Sequence, residues 1–234
     1  MSERVLAVGG LVPFSTVDYP GQLAAVVFCQ GCPWRCGYCH NPGLQASCAA
    51  PLHAWHEVTV FLAQRRGLLD AVVFSGGEPT LHAGLEAVIR EVRALGFKIG
   101  LHSAGIYPRR LAPLLPLIDW IGLDIKAPFD EYARITGVSG SGDKALAAAR
   151  LVLDSGVDCE FRTTLHAALL SARDIEKLAL QLAALGVRHY ALQTFRAAGC
   201  ANETLVRTAS QTPELQVLAE TLTRMFQHFE LRAS

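Results

Sequence analysis

The chain has 234 residues, 51% of them hydrophobic, with 21 Lys and Arg balanced by 21 Asp and Glu. That length fits one α/β domain or two small ones. No stretch reads as a linker, so one domain over residues 1–234 is expected. The charge balance leaves no footprint for nucleic acid, and no apolar run is long enough to span a bilayer. Seven cysteines, three of them in one short stretch, do not make a secreted disulfide framework. They need a reducing, oxygen-poor interior, which points to the cytoplasm.

In chain order, the apolar start Val5 to Val12 mimics a short signal core after Arg4. It runs straight into Pro13-Phe14-Ser15-Thr16 without a cleavage site and reads as mature protein. Six short runs rich in Val, Ile, Leu or Phe follow as buried parallel strands: Leu23 to Phe28, Ala71 to Phe74, Lys98 to His102, Trp120 to Asp124, Asp158 to Thr163 and His189 to Gln193. Amphipathic segments lie between them, at His53 to Leu69, His82 to Leu95, Pro108 to Leu117, Lys144 to Asp154 and Ser171 to Leu185. Gly96, Gly156 and Gly186 each stand after a helix and before a strand, where a left-handed residue stops the helix. Ser171 to Asp174 reads as a capping box.

A last helix is expected over about 213–229, with Thr212 as cap, Pro213 in its first turn, and Leu215, Leu218, Leu222, Met225 and Phe229 on its buried stripe. Six β-α repeats are fewer than the eight that close a full barrel. The expected fold is therefore α/β: a six-stranded, laterally open, TIM-like partial barrel with its core over about 22–195.

The most informative stretch is Cys32-Pro33-Trp34-Arg35-Cys36-Gly37-Tyr38-Cys39, followed by His40-Asn41-Pro42. Three thiols at C-x3-C-x2-C spacing can share one soft metal group. Zinc would want a fourth protein ligand, whereas three thiolates on a four-iron cluster leave one iron open to a small molecule. Cys29, three residues upstream of Cys32, leaves a closed four-cysteine site as an alternative. It follows the run Ala24 to Phe28 directly, however, and reads as the buried end of a strand.

This run resembles the signature of the radical S-adenosylmethionine (SAM) enzymes, with Tyr38 in the aromatic position before the last cysteine. His40-Asn41-Pro42 and Ser15-Thr16-Val17-Asp18-Tyr19-Pro20-Gly21 are similar to the activases of glycyl-radical enzymes, and among these to the ones acting on anaerobic ribonucleoside-triphosphate reductase. The resemblance runs from Gly10 to about Cys200. It implies the same partial barrel, a four-iron four-sulfur cluster held by Cys32, Cys36 and Cys39, and SAM at the open iron. It further implies reductive cleavage of SAM to methionine and a 5'-deoxyadenosyl radical that takes hydrogen from a backbone glycine of the partner, here anaerobic ribonucleotide reductase. A flavodoxin or ferredoxin-type electron donor is implied with it.

Every unusual polar group falls at the carboxyl end of a strand, the end where α/β folds build their sites. Gly76-Gly77-Glu78 resembles the segment that holds the amino group of SAM, with Glu78 as counter-charge, although such a turn is also an ordinary strand-to-helix connection. Ser103, Asp124, Lys126 and Arg162 resemble the activase residues around the SAM ribose and carboxylate. Rim salt bridges explain them equally, and Asp124 and Lys126, on one side of a strand, could pair with each other.

Formate-lyase activases carry Asp-Thr-Asn-Gly where this chain has His102-Ser103-Ala104-Gly105, which puts a cation site there in doubt. The resemblance makes Asp18 and His40 candidates for contact with a polypeptide substrate, although Asp-Tyr-Pro-Gly is also a plain turn. Cys48, Cys159 and Cys200 offer no second cage and read as packing or incidental thiols. Two rival readings remain: a small radical SAM enzyme acting on a metabolite, of the deazaguanine ring-contracting kind, and a plain electron carrier with its cluster on Cys29, Cys32, Cys36 and Cys39.

Overall fold

Parallel strands alternate with helices as expected, but among the described residues the sheet has eight strands and not six. The computed structural model describes residues 6–46, 52–208 and 215–232. β1 (Val8–Ser15) runs antiparallel to β2 (Ala24–Cys29). From β2 onward each neighbour is parallel, through β3 (Ala71–Gly76), β4 (Lys98–Ser103), β5 (Trp120–Asp124), β6 (Asp158–Leu165), β7 (His189–Thr194) and β8 (His228–Arg232). The strands stand in sequence order, so the sheet is a partial barrel with β1 and β8 as its two edges.

The six expected strands are β2 to β7, and Trp120–Asp124 agrees residue for residue. The two strands that periodicity did not reveal are the edges. β1 contains Pro13 and exposes Val12 and Phe14, because an antiparallel edge strand need not be a continuous buried run. β8 takes up the end of the segment expected to be helical. The last helix covers Leu215–Thr223 and buries Leu218 and Leu222, but Phe229 lies on β8. Pairing with β7 satisfies the backbone of β8, and Arg232 grips Glu160 with two bonds of 2.8 Å each, which overrides the helical spacing. The expected cap at Thr212 and Pro213 lies outside the described residues.

The helices, in order, are α1 (Trp55–Ala63), α2 (Leu85–Ala94), α3 (Pro108–Leu111), α4 (Tyr132–Thr136), α5 (Ser141–Ser155), α6 (Ala172–Ala184), α7 (Glu203–Arg207) and α8 (Leu215–Thr223). α1 is shorter than expected. α3 gives way to a 3-10 turn over Ala112–Leu117, because Pro113 and Pro116 remove donors that an α-helix would use. The three punctuating glycines do take positive φ, and the Ser171–Asp174 capping box is formed.

Alternation along the strands divides the side chains between two environments. Val27, Val72, Phe74, Ile99, Leu101, Ile121, Leu123 and Phe161 point outward and join the apolar faces of the helices in the main core. Ala24, Val26, Ala71, Val73 and Trp120 point inward, where Tyr19 packs on Trp120 at a ring distance of 5.4 Å. Gly100 leaves room for the Tyr19 ring. The amino end of the interior is thus filled with apolar groups, and the inward positions further along the strands are Ser75, His102, Asp124, Arg162, Thr164 and Gln193.

α8 tests the corrected boundary. Leu222→Ala should cost about 2–5 kcal/mol of stability as a large-to-small core change. Val217→Ala, at a residue 66% exposed on the same helix, should cost less than about 0.5 kcal/mol in urea denaturation.

Candidate active site

The loop after β2 is stitched down before it reaches the first thiol of the motif. Buried Gln30 donates from Nε2 to the carbonyls of Gly43 (3.0 Å) and Ala46 (2.7 Å), while its own carbonyl accepts from His82 Nε2 (2.9 Å). Gly31 N–H donates to Leu44 and Cys32 N–H to Gln45. Arg35 donates to the Cys32 carbonyl (2.7 Å) and Cys39 N–H to the Cys36 carbonyl (3.1 Å).

In this loop Cys32, Cys36 and Cys39 border a single cavity at the carboxyl end of the sheet. Its other walls include Tyr38, His40, Gly76, Gly77, Ser103, Asp124 and Lys126, so most of the expected site residues meet there. Burial pushes the Cys32 thiol up to about 11 and Cys36 above its ordinary value. Free thiolates are therefore disfavoured, and coordination to iron is the chemistry that would deprotonate them. Among the described residues no three His, Cys, Asp or Glu side chains converge as a single ion requires. Three soft donors spread around one cavity suit a cluster with one iron per thiol. Cys29 is fully buried in the main core and does not border the cavity, so it is not placed as a fourth ligand.

The charges of the site are paired. Lys126 Nζ lies 3.7 Å from Asp124 and 5.6 Å above the Tyr38 ring. Burial disfavours its charge, yet Tyr38, Asp124 and Cys36 outweigh that and hold it well above the usual lysine value. Arg162 donates to Asp124 from Nε at 3.0 Å and to the Gly122 carbonyl at 3.3 Å. Burial raises the Asp124 carboxyl, but Arg162 and Lys126 bring it below its ordinary value. Arg162 does not border the cavity: it lies beneath Asp124 and holds it in place.

Glu78 differs from expectation. It is fully buried, is not part of the cavity wall, and accepts four hydrogen bonds, from Thr80 N (3.1 Å), Thr80 Oγ1 (2.6 Å), Ser103 Oγ (2.8 Å) and Ala104 N (2.9 Å). Its carboxylate ties the turn after β3 to the turn after β4 and is not directed at a ligand. Gly76, at φ 113°, and Gly77 are required for a related reason: a Cβ on either would collide with the backbone of Cys29 or Gly31. Gly77 N–H donates to Cys29 and Glu78 N–H to Gly31.

Asp18 is likewise committed. Its carboxylate accepts from Ser15 Oγ (2.5 Å), its carbonyl accepts from His102 Nε2 (2.8 Å), and it does not border the cavity. The turn itself begins one residue later, closed by Gln22 N–H donating to the Tyr19 carbonyl (3.1 Å). His40 does border the cavity, stacks on Phe195 at 5.4 Å and donates to the Arg196 carbonyl (2.9 Å).

His102 forms part of the wall beside Ser75, and burial together with Arg162 pushes it down to about 3. Cys159 lies on β6 away from this cavity, Cys200 approaches the Gly37 carbonyl at 3.7 Å, and Cys48 lies outside the described residues. Trp34 and Gln45 in the wall were given no role from sequence, whereas the polar strand ends expected to converge on one rim supply two further wall residues, Thr164 and Gln193. The last two share one signal, inward register at the carboxyl ends of β6 and β7, and Gln193 Nε2 donates to Thr164 Oγ1 (2.9 Å).

The family model described as "Radical SAM superfamily" matches residues 26–181. A relative named "putative glycyl-radical enzyme activating enzyme", from Methanocaldococcus jannaschii, is 32% identical over 200 residues, 80% of this chain and 79% of that one. A pyruvate formate-lyase-activating enzyme of Clostridium pasteurianum is 33% identical over 132 residues, 54% of this chain and 55% of that one. Among solved structures, SuiB of Streptococcus suis bound to its precursor peptide superposes with a TM-score of 0.67 at 16% identity, over 87% of this chain and 47% of that one. Its SAM-bound structure gives 0.64 at 14% identity, over 88% and 45%.

Two tests follow from these contacts. Glu78→Ala strands two buried N–H groups and should destabilise the cofactor-free protein by about 2–4 kcal/mol, whereas Glu78→Gln should cost clearly less. In acid, unfolded His102 takes up a proton near its ordinary 6.5 while the folded histidine resists to about 3. Its contribution to stability is therefore full above pH 6.5 and is lost as pH falls toward 3, at up to about 1.4 kcal/mol per pH unit. Urea titrations across that window should show a slope one proton shallower in His102→Gln.

Proposed function

This chain belongs to the radical SAM superfamily, and we propose from that premise that it is an activase that installs a glycyl radical on a partner enzyme. The observation that carries this reading is the single cavity on which three thiols, the Gly76–Gly77 turn, Asp124 and Lys126 meet, at the mouth of a barrel left open between β1 and β8. The resident cofactors are a four-iron four-sulfur cluster and SAM. Together they supply one-electron cleavage of a carbon-sulfur bond and a carbon radical able to take hydrogen from an unactivated C–H bond.

In this reading Cys32, Cys36 and Cys39 hold the cluster, and the Lys126 ammonium faces the carboxylate of SAM, with Asp124 and Ser103 beside it. The backbone of Gly76 and Gly77 receives the amino group, since the Glu78 side chain is committed elsewhere. His40 pins the cluster loop to the segment after β7 through Phe195 and the Arg196 carbonyl, which limits the access of water. The open side admits a polypeptide loop. The partner we propose is anaerobic ribonucleotide reductase, on the likeness of the Ser15–Gly21 and His40–Pro42 segments, with a flavodoxin or ferredoxin-type protein as electron donor.

Reconstituted without oxygen, the protein should carry one such cluster. Cys32→Ala, Cys36→Ala and Cys39→Ala should each abolish it, while Cys29→Ala should keep its iron and absorption. Mixing the reduced protein, SAM and the reductase should give a glycyl-radical doublet in electron paramagnetic resonance. The doublet should collapse when the target glycine is deuterated at its α-carbon, with deuterium appearing in 5'-deoxyadenosine. Deuterium transfer from a small metabolite, and from no glycyl-radical enzyme, would establish the metabolite-directed reading instead. A cluster lost in Cys29→Ala, with no SAM binding, would establish the electron carrier.

A further inference from the structure

The groups assigned to SAM above come from β3 to β5 and the turns after them, in the middle of the sheet. Elsewhere the cavity wall carries three carboxamides: Asn41 and Gln45 in the loop after β2, and Gln193 at the carboxyl end of β7. β2 and β7 lie next to the edge strands, so these amides flank the side left open between β1 and β8. His40, next to Asn41, stacks on Phe195, just beyond Gln193, and so ties the two flanks together. All three carboxamides have atoms to spare. Asn41 stands at the N-cap of the 3-10 turn Pro42–Leu44, where an asparagine side chain ordinarily caps, yet makes no capping bond. Gln45 bonds through its backbone alone, to Pro42 and Cys32. Gln193 is oriented by donating from Nε2 to Thr164 Oγ1 (2.9 Å), which leaves its Oε1 and its second N–H unused. None of these atoms is enclosed, because the side-chain polar atoms buried without a partner among the described residues belong to Trp34 and Tyr190. Lys126, by contrast, is the only lysine or arginine of the wall among the described residues, and it already faces Asp124 at 3.7 Å. An anionic metabolite would find no second cation there.

We propose that Asn41, Gln45 and Gln193 hold the backbone of the partner's glycine loop. The proposal rests on the activase reading above and goes beyond it by assigning the residues that recognise the polypeptide. A carboxamide offers the same donor and acceptor pair as a peptide group. Amides on both sides of the opening can therefore pair with the N–H and C=O groups that flank the target glycine. Glycine has no side chain to grip, so its α-carbon can be positioned only through the main chain around it. Recognition of this kind places the target by its backbone and asks little of the neighbouring side chains.

The test uses the reconstituted holoprotein with intact anaerobic ribonucleotide reductase, deuterated at its target glycine, as substrate. In Asn41→Ala, Gln45→Ala and Gln193→Ala, the reductase concentration that half-saturates deuterium transfer into 5'-deoxyadenosine should rise about three- to tenfold, the worth of one neutral hydrogen bond. The rate at saturation, and SAM affinity by calorimetry, should both stay within about twofold of the wild type. A synthetic peptide copying the glycine loop should compete with the reductase. Replacing the amide on either side of its glycine by an ester should weaken it against the wild type, but not against the variant that lacks the facing carboxamide. Unchanged half-saturation in all three variants would overturn the proposal and leave the activase reading intact. A loss of SAM affinity as large as the loss for the reductase would also overturn it, because the amides would then serve SAM. A wild type that takes hydrogen from no glycyl-radical enzyme would overturn both. Should an alanine variant fail to hold its cluster, Asn41→Asp, Gln45→Glu or Gln193→Glu, which keeps the shape and loses the donor, takes its place with the same expected rise.

Discussion

The arrangement depends on one steric constraint: the turn after β3 lies directly against the loop that leaves β2, with no room for a side chain between them. Gly76 and Gly77 satisfy it, since a Cβ on either would meet the backbone of Cys29 or Gly31. Once that contact is made, the backbone N–H groups of Gly77 and Glu78 bond across it. The Glu78 side chain is then carried inward to gather donors from Thr80, Ser103 and Ala104. Three successive strand ends are fixed to one another in this way. The first of the three cysteines follows immediately, so its thiol is held on a platform built from the chain's own backbone and side-chain contacts.

A second constraint is electrostatic. The amino end of the interior is filled by Tyr19 and Trp120, so the charges of the interior, half-buried, gather at the other end. They are arranged to answer one another. Asp124 lies between Arg162 below and Lys126 beside the cavity, and His102 stays neutral because burial and Arg162 both oppose its protonation. The surplus positive charge sits with Lys126 at the cavity wall, next to Tyr38 and the thiols. That is where thiolates and a substrate carboxylate would bring negative charge, so the residues beneath the site serve its electrostatics without touching a ligand.

The family match stops short of part of the site. The family model covers residues 26–181, which takes in the cysteine loop, β3 to β6 and much of α6. β1, β7, β8 and the segment from Phe195 to Arg207 lie outside it. That segment nevertheless reaches the site: Phe195 stacks on His40, and Gly199 passes so close to the His40 carbonyl that a side chain would not fit.

Much of this was legible in the sequence because it depends on neighbours along the chain. The C-x3-C-x2-C spacing, the buried apolar runs of β2 to β7, the capping box at Ser171 and the glycines that end α2, α5 and α6 are local signals, and each is formed as read. What local pattern could not decide was which of two permitted partners a residue would take. Phe229 has the spacing of a helix but pairs on the sheet edge, because β7 offers an unpaired backbone and Glu160 a partner for Arg232. Glu78 has the chemistry to face an ammonium group but is enclosed by donors 2 to 26 residues away. Asp18 could meet a peptide, yet is held by Ser15 and His102. Sequence determined the order of the strands, the thiols and the end of the sheet at which the chemistry gathers. Only the tertiary structure decided which polar groups still face the cavity once the chain has satisfied its own buried donors and acceptors, because that depends on contacts between segments far apart in sequence.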